Sequence, residues 1–419
     1  MDINIHRSRV VCRVAYWGAK SAIFKSVKKY ANNLGEVVLD PYGGAGGIVA
    51  ELLKLGKRVI YNDINPVARL IARYNVAVTE DDKRELKRCL KTFREVLTPL
   101  RALYTAHCPV CRETREIRFI IHDGSSRAYL SCGHEVEVSD FKIKPPPWAR
   151  IRLSYGEKRF LKTGGELAIA DVVTPRGIVI FSALRRVLRN CGEVAKYSLL
   201  PSVYLATKMA FLPEEKTRLI LSGKNWTPSW ALPAYWLPKR YVEYNLVEVV
   251  LSRAEKIARC RAKRYKIGSA EDVFANRAQV AFLSNDVTEL PLPDGSVDII
   301  TDPPYPTDVQ YGELFFLHAK VLDIPYNVFD KELVVNRNRG TTFDTYLAIF
   351  DNHLKILSRK SKKYAIFILK KGNYTEKIID LINRHFVVEQ TEDITTAKRR
   401  SRIGDFRPKY TYTLVVARK

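Results

Sequence analysis

Residues 36–63 read strand, glycine-rich turn, helix, strand, acid, and that order restricts the fold more than any other feature of the chain. EVVLD is a short apolar run ending in Asp40, PYGGAGG follows as a turn, IVAELLKLG has helical character, and KRVIYND is a second strand ending in Asp63. This is one βαβ unit of a doubly wound sheet. Pro66 opens the next helix, PVARLIARYNV, at a first-turn position that helices favour. The same grammar resumes at 279. QVAFLSND predicts a strand ending in Asp286, SVDIITDPPY a strand running into a proline-rich turn, YAIFILKKG another strand, and KYTYTLVVAR an antiparallel closing strand. The expected fold is therefore α/β, a single sheet split by a large insertion. The expected division is 1–76 and 271–419 for the two parts of the sheet domain, with the insertion at 77–270. Insertions on a surface loop leave a sheet core intact.

The insertion changes character along its length. EDDKRELKRCLKTFREVLTPL (80–100) has Leu and Phe at helical spacing among charges, which predicts a surface helix. Residues 105–142 hold short alternating strands and two half-sites for a metal, Cys108-Pro-Val-Cys111 and Cys132-Gly-His134. Two cysteines on a C-x-x-C knuckle and a second half-site beyond it make a tetrahedral zinc set, a small zinc ribbon of structural type. The second half-site is C-x-H, so His107 and His122 are alternatives to His134 as fourth ligand. Three prolines at 145–147 stiffen a linker, and 150–265 is basic and rich in aromatics.

The chain carries 70 Lys+Arg against 45 Asp+Glu, a formal net charge of +25 over 419 residues. That surplus favours a polyanionic partner, nucleic acid before a membrane surface. Arg150, Arg152, Lys158, Arg159 and Lys162 form one basic cluster, Arg259, Arg261, Lys263, Arg264 and Lys266 a second, and Lys398, Arg399, Arg400 and Arg402 a third. They suit phosphate contacts or a solvated face. Trp226, Trp230, Tyr235, Trp236 and Tyr241 suit core packing or base stacking. No apolar run reaches the length of a membrane span, and MDINIHRSRV lacks the apolar core of a signal peptide. Of seven cysteines, Cys12, Cys89, Cys191 and Cys260 are scattered, which predicts reduced thiols and a cytoplasmic protein. Two Met and three Gln give a mild thermophile-like bias.

The two acid-tipped strands carry the chemistry. A glycine loop alone also fits a tight turn without ligand. With Asp63 at the end of the next strand it fits a nucleoside, the acid accepting from a ribose. Asp40 would repel phosphate, so a cationic nucleoside is expected, and S-adenosylmethionine fits. In Asp302-Pro303-Pro304-Tyr305 the carboxylate and the Pro303 carbonyl can both accept from one exocyclic amine. The prolines hold those acceptors with little mobility, and Tyr305 offers a stacking face.

Together, D-P-Y-G-G-A-G at 40–46, N-D-I-N-P at 62–66 and D-P-P-Y at 302–305 resemble the class I S-adenosylmethionine-dependent amino-methyltransferases of DNA. Tyr16-Trp17-Gly18-Ala19-Lys20 is similar to the extra cofactor motif preceding the glycine loop in those enzymes. LPLPDGSVDIITDPPYPTDVQYGELFFLH is very similar to the adenine-specific methylases that carry a zinc ribbon. The resemblance covers about 35–85 and 275–320, and the insertion only loosely. It implies a Rossmann-like methyltransferase sheet and methylation of the N6 amine of a flipped adenine in DNA. It also implies S-adenosylmethionine as cofactor, held by Lys20, Asp40, Tyr42, Gly44, Gly46, Asp63 and Asp286, with Lys20 pairing the cofactor carboxylate. Asp286 would lie beside the adenine ring, and Asp302, Pro303, Pro304 and Tyr305 would be catalytic. Gly43, Gly47 and Pro306 depart from the family pattern. Cytosine N4 in DNA and guanine N2 in tRNA present the same chemistry, although cytosine enzymes more often have Ser in place of the first Asp. Intact Asp302, Tyr305 and Asp63 argue against a catalytically idle DNA-binding subunit.

Overall fold

The computed structural model describes residues 27–153, 167–222, 237–262, 265–306, 310–336, 339–395 and 411–419. Its first elements are β1 (Val37–Asp40), α1 (Gly47–Lys54), β2 (Arg58–Asn62) and α2 (Pro66–Val76). Asn65 caps α2, its side chain accepting from the amides of Val67 and Ala68, and Pro66 needs no such acceptor. Next come α3 (Glu80–Leu97), β3 (Thr105–Cys108), β4 (Glu113–His122), β5 (Ser126–Leu130) and β6 (Glu135–Glu137). A reciprocal Thr79–Asp82 capping box starts α3, and its Leu86, Cys89, Leu90, Phe93 and Leu97 form one buried stripe. Then follow α4 (Pro175–Leu188), α5 (Glu193–Leu205), β7 (Tyr241–Tyr244) and α6 (Leu246–Arg259). The chain continues with β8 (Val280–Leu283), β9 (Val297–Thr301), α7 (Tyr311–Val321), α8 (Phe343–Lys360), β10 (Ser361–Lys370), α9 (Thr375–Asn383), β11 (Val387–Thr395) and β12 (Thr411–Arg418).

Among the described residues seven strands make one sheet in the order β8-β2-β1-β9-β10-β12-β11. The first five run parallel, and β12 is antiparallel to both neighbours. The architecture is mixed α/β. Alternate strand residues feed two cores. Leu39, Ile60, Ile299 and Phe367 pack with Phe350 and Leu354 of α8 and Ile382 of α9. Val38, Val59, Ile300 and Ile366 pack with Val49 and Leu52 of α1 and Val76 of α2. Burial on both faces explains why β1, β9 and β10 read as continuous apolar runs. Each fully buried Leu, Ile, Val or Phe contributes about 1.5–3 kcal/mol of hydrophobic stabilisation before entropy is counted.

The chain divides into two compact units. Among the described residues, one joins 27–78, 265–312 and 326–419 and holds the sheet. The other joins 79–262 and 313–325. The expected insertion at 77–270 thus differs in its bounds, and 313–325, expected with the sheet, clusters with the inserted unit. Arg185 of α4 explains that assignment: it reaches Asp323 at 2.6 Å, and Lys196 donates to the Asp323 carbonyl at 2.9 Å.

Within the inserted unit, Cys89 of α3 and Cys191 after α4 form a disulfide across 102 residues, with Cα atoms 6.0 Å apart. This corrects the reading of these two as scattered, reduced thiols, and Cys260 is likewise disulfide-bonded. The packing of the inserted unit, not sequence spacing, brings them together. Among the described residues no helix is long and apolar enough to cross a membrane.

Candidate active site and metal centre

In a parallel sheet the carboxyl ends of the strands share one edge. Asp286 follows β8, Asp63 follows β2, Asp40 ends β1 and Asp302 follows β9, so strand order sets these acids in a row along that edge. The chain winds outward from β1 to β2 and β8, and from β9 to β10 the other way. The crevice between β1 and β9 is therefore the topological switch point, where open α/β sheets bind ligands. Asp40 and Asp302 flank it.

The glycine loop is folded back on β2 and α2. Gly43 lies against Tyr61, where a Cβ would stand 2.3 Å from the ring, and Tyr61, fully buried, donates its hydroxyl to the Gly44 carbonyl at 2.8 Å. Gly46 has φ +77° and a Cβ there would lie 2.9 Å from the Val76 side chain. Only glycine meets both conditions without strain. This gives Gly43, a departure from the family pattern, a packing reason. Three loop amides are committed within the protein: Gly43 donates to the Asn62 carbonyl, Gly46 to the Gly43 carbonyl and Gly44 to Asp63 Oδ2, each at 2.9 Å.

The acids differ in character. Asp40 is 1 % exposed, and burial raises its pKa to about 8, although the Thr301 hydroxyl donates to its Oδ1 at 2.9 Å. The charges of Asp302 and Asp63 push it further up. Asp63 is half-buried and rises to about 6 through burial, held back by amide donors from Asn65 and Gly44. Each Asp63 oxygen accepts one of those amides, which leaves lone pairs for hydroxyl donors. Asp286 goes the other way. Burial pushes it up, but Thr288 donates its amide and hydroxyl to Oδ1, both at 2.9 Å, and these bonds with nearby His353 and Lys331 hold its pKa below the usual range.

The D-P-P-Y turn is braced from outside. Tyr346 of α8 donates to the Pro304 carbonyl at 2.8 Å, and the Val335 amide donates to Pro306 at 3.1 Å. Gln310 and Asn336, both buried, link that brace to the chain beyond. Tyr305 donates its hydroxyl to Asp302 within the motif. Its ring is buried, tilted against Tyr412 with centroids 6.4 Å apart, and Lys370 Nζ lies 5.8 Å from its centroid. The stacking face expected of Tyr305 is thus packed in the core cluster in this state. Lys20 and the rest of its motif lie outside the described residues, as do Lys158, Arg159, Lys162, Lys263, Arg264, the basic residues at 398–402, Trp226, Trp230, Tyr235 and Trp236. Of the described cations, Arg150 donates to the Pro145 carbonyl and Arg259 pairs with Glu255 at 3.1 Å. Tyr241 stacks on His122 at 4.4 Å.

Cys108, Cys111, Cys132 and His134 bring their donor atoms within 4.8 Å of one another. Cys132 Sγ is 3.8 Å from Cys108 Sγ, and His134 Nδ1 is 3.5 Å and 3.4 Å from the Cys108 and Cys111 sulfurs. Those separations are the edges of a tetrahedron with metal–ligand bonds of roughly 2.0–2.3 Å, so the set fits zinc. The Cys111 amide donates to Cys108 Sγ at 3.4 Å and heads the causes that bring this thiol down to about 6. Cys108 ends β3, Cys111 lies in the turn to β4, and Cys132 and His134 lie in the turn between β5 and β6. His134 is the fourth member. His107 is exposed, and His122 bonds Ser126 at 2.9 Å and Glu243 at 3.1 Å.

Sequence reasoning missed Thr301, Tyr61 and His353, which contact the predicted acids or loop from elsewhere. Neither a comparison with protein-family models nor one with curated proteins finds a match for this chain.

Proposed function

We propose that the protein is an S-adenosylmethionine-dependent methyltransferase acting on the exocyclic N6 amine of adenine in DNA. The observation that carries this reading is the row of four acids ending at the β1–β9 switch point. Three strand spacings of about 4.8 Å separate β8 from β9, about 14 Å in all. That span suits a nucleoside laid along β8 and β2, with its reacting end at the crevice. The strand order, with its one antiparallel strand, supports a Rossmann-like methyltransferase sheet.

The residues fit the cofactor. The Gly43, Gly44 and Gly46 amides are spent within the protein, and buried Asp40 gains from a cation beside it. When bound, S-adenosylmethionine supplies an electrophilic methyl group on a sulfonium. Asp40 would face the ammonium group of its amino-acid arm, and Asp63 would accept from the ribose hydroxyls. Asp302 and the Pro303 carbonyl accept the two hydrogens of the target amine, which turns the nitrogen lone pair toward the crevice. For the base to reach Asp302, the Tyr305 hydroxyl must yield its bond. The Cys3His centre holds structural zinc, and the inserted unit meets the nucleic-acid backbone.

The test is transfer of labelled methyl to duplex DNA and to tRNA, with identification of the modified base. Label is expected in duplex DNA as N6-methyladenine. Asp302→Ala is expected to lose at least about 100-fold in rate, the scale of removing one preorganised transition-state contact, with cofactor affinity kept within about threefold. Label on cytosine or on tRNA guanine replaces the substrate assignment. Wild-type rates in Asp302→Ala overturn the site.

A further inference from the structure

The turn Asp302-Pro303-Pro304-Tyr305-Pro306 has three prolines in five residues, and proline carries no amide hydrogen. A turn so poor in donors is fixed through its carbonyls, by donors from elsewhere in the chain. Two such donors are in place. Tyr346 donates its hydroxyl to the Pro304 carbonyl at 2.8 Å, and the Val335 amide donates to the Pro306 carbonyl at 3.1 Å. Val335 is gripped in turn through its own carbonyl, which accepts from Gln310 Nε2 at 3.0 Å. Gln310 Oε1 accepts from Asn336 Nδ2 at 3.1 Å. Gln310 and Asn336 are 3 % and 2 % exposed, so neither amide is held by bulk water.

The two side-chain amides have one workable orientation. Turned over, Gln310 would set its oxygen against the Val335 carbonyl and its nitrogen against Asn336 Nδ2, acceptor on acceptor and donor on donor. Val335 is thus held on both sides by one stretch of chain: Pro306 takes its amide and Gln310 its carbonyl. That stretch leaves the turn whose Asp302 carboxylate and Pro303 carbonyl are the two acceptors for the target amine. We propose that Gln310 and Asn336 are a positioning pair which, through Val335, holds the exit of this turn and so fixes the Pro303 carbonyl relative to the Asp302 carboxylate for methyl transfer. This rests on the methyltransferase reading above. The pair acts on the rate of transfer and not on cofactor affinity, because the acids assigned to the cofactor end or follow β8, β2 and β1. Rate is sensitive to such placement: an error of about 1 Å in a reacting geometry costs on the order of 100-fold.

The experiment measures single-turnover methyl transfer by the full-length protein to the nucleic acid that accepts label in the test above. S-adenosylhomocysteine affinity by calorimetry and thermal melting are read on the same samples. Gln310→Leu removes the donor to the Val335 carbonyl and the acceptor of Asn336 Nδ2. It is expected to slow transfer at least about tenfold while cofactor affinity stays within about threefold. Asn336→Leu is expected to slow transfer as well, and the double Leu variant to be no slower than the slower single, since the two amides act as one unit. A folded Gln310→Leu that transfers at the wild-type rate, or that loses rate and cofactor affinity by the same factor, makes the pair a packing element and overturns the proposal with the methyltransferase reading intact. Single effects that multiply in the double variant overturn it too. Where melting shows that the Leu variants do not fold, Asn336→Ser, which removes the Nδ2 donor with a smaller side chain, carries the decision: an unchanged rate overturns the proposal. Wild type that transfers methyl to neither DNA nor tRNA overturns both readings.

Discussion

At the scale of single residues, Asp40 carries the sharpest electrostatic consequence. Its native pKa of about 8 stands well above the ordinary 3.8, burial being the main cause. Between those values the folded chain keeps a proton that the unfolded chain has lost. The unfolded state then binds fewer protons, so stability falls as pH rises through the window, by up to roughly 1.4 kcal/mol per pH unit. Above about pH 8 the two states match and the slope ends. Asp40→Asn imitates the protonated form. It is expected to equal wild type near pH 4 and to become the more stable of the two by pH 8, measured by denaturant unfolding across pH. Parallel pH profiles for the two proteins would show that Asp40 ionises in place without penalty. The acids of this row were legible because each ends or follows a β-branched apolar run. Thr301, Tyr61 and His353 were not: His353 meets Tyr42 across 311 residues, and no local pattern encodes such a contact.

At the scale of elements, the metal knuckles hold strands that have little core of their own. β3 buries only Cys108, and β6 buries none of its residues. The turns at Cys111 and at Cys132–His134 fix their register instead. Structural zinc of this kind contributes folding energy directly. The purified protein is expected to carry one zinc per chain by elemental analysis. Chelation or Cys111→Ser is expected to lower the melting temperature, with loss of hydrogen-exchange protection across β3–β6. Metal-free protein with unchanged melting would remove the centre from the fold. The C-x-x-C knuckle was plain in the sequence because its two ligands share one turn. The choice of His134 over His107 and His122 needed the fold, since it depends on β4 drawing His122 toward Ser126 and Glu243.

At the scale of the whole molecule, the chain leaves the sheet unit after Val78, builds a second compact unit and is back in the first by Tyr265. That unit closes a 102-residue span with Cys89–Cys191. Constraining a loop of that size in the unfolded state is worth about 4–5 kcal/mol in the chain-entropy account. The double variant Cys89→Ala/Cys191→Ala is expected to unfold at lower denaturant than wild type, and reductant to shift wild type toward it. Curves that coincide with and without reductant would mean the two thiols are not joined in solution. The sheet grammar and the existence of an insertion were readable from strand runs alone. The transfer of 313–325 to the inserted unit was not, because it rests on Arg185 and Lys196 reaching Asp323 from far along the chain.

The interior place of β12 also orders events during synthesis. β11 leaves the ribosome before β12, yet its ladder partner in the sheet is β12, which stands between it and β10. Until β12 emerges, β11 has no seat and β10 presents an open strand edge flanked by Ile366 and Ile368. Such edges recruit other chains. β11 and β12 must therefore pair and dock together, and the β10 edge stays open until β12 is made.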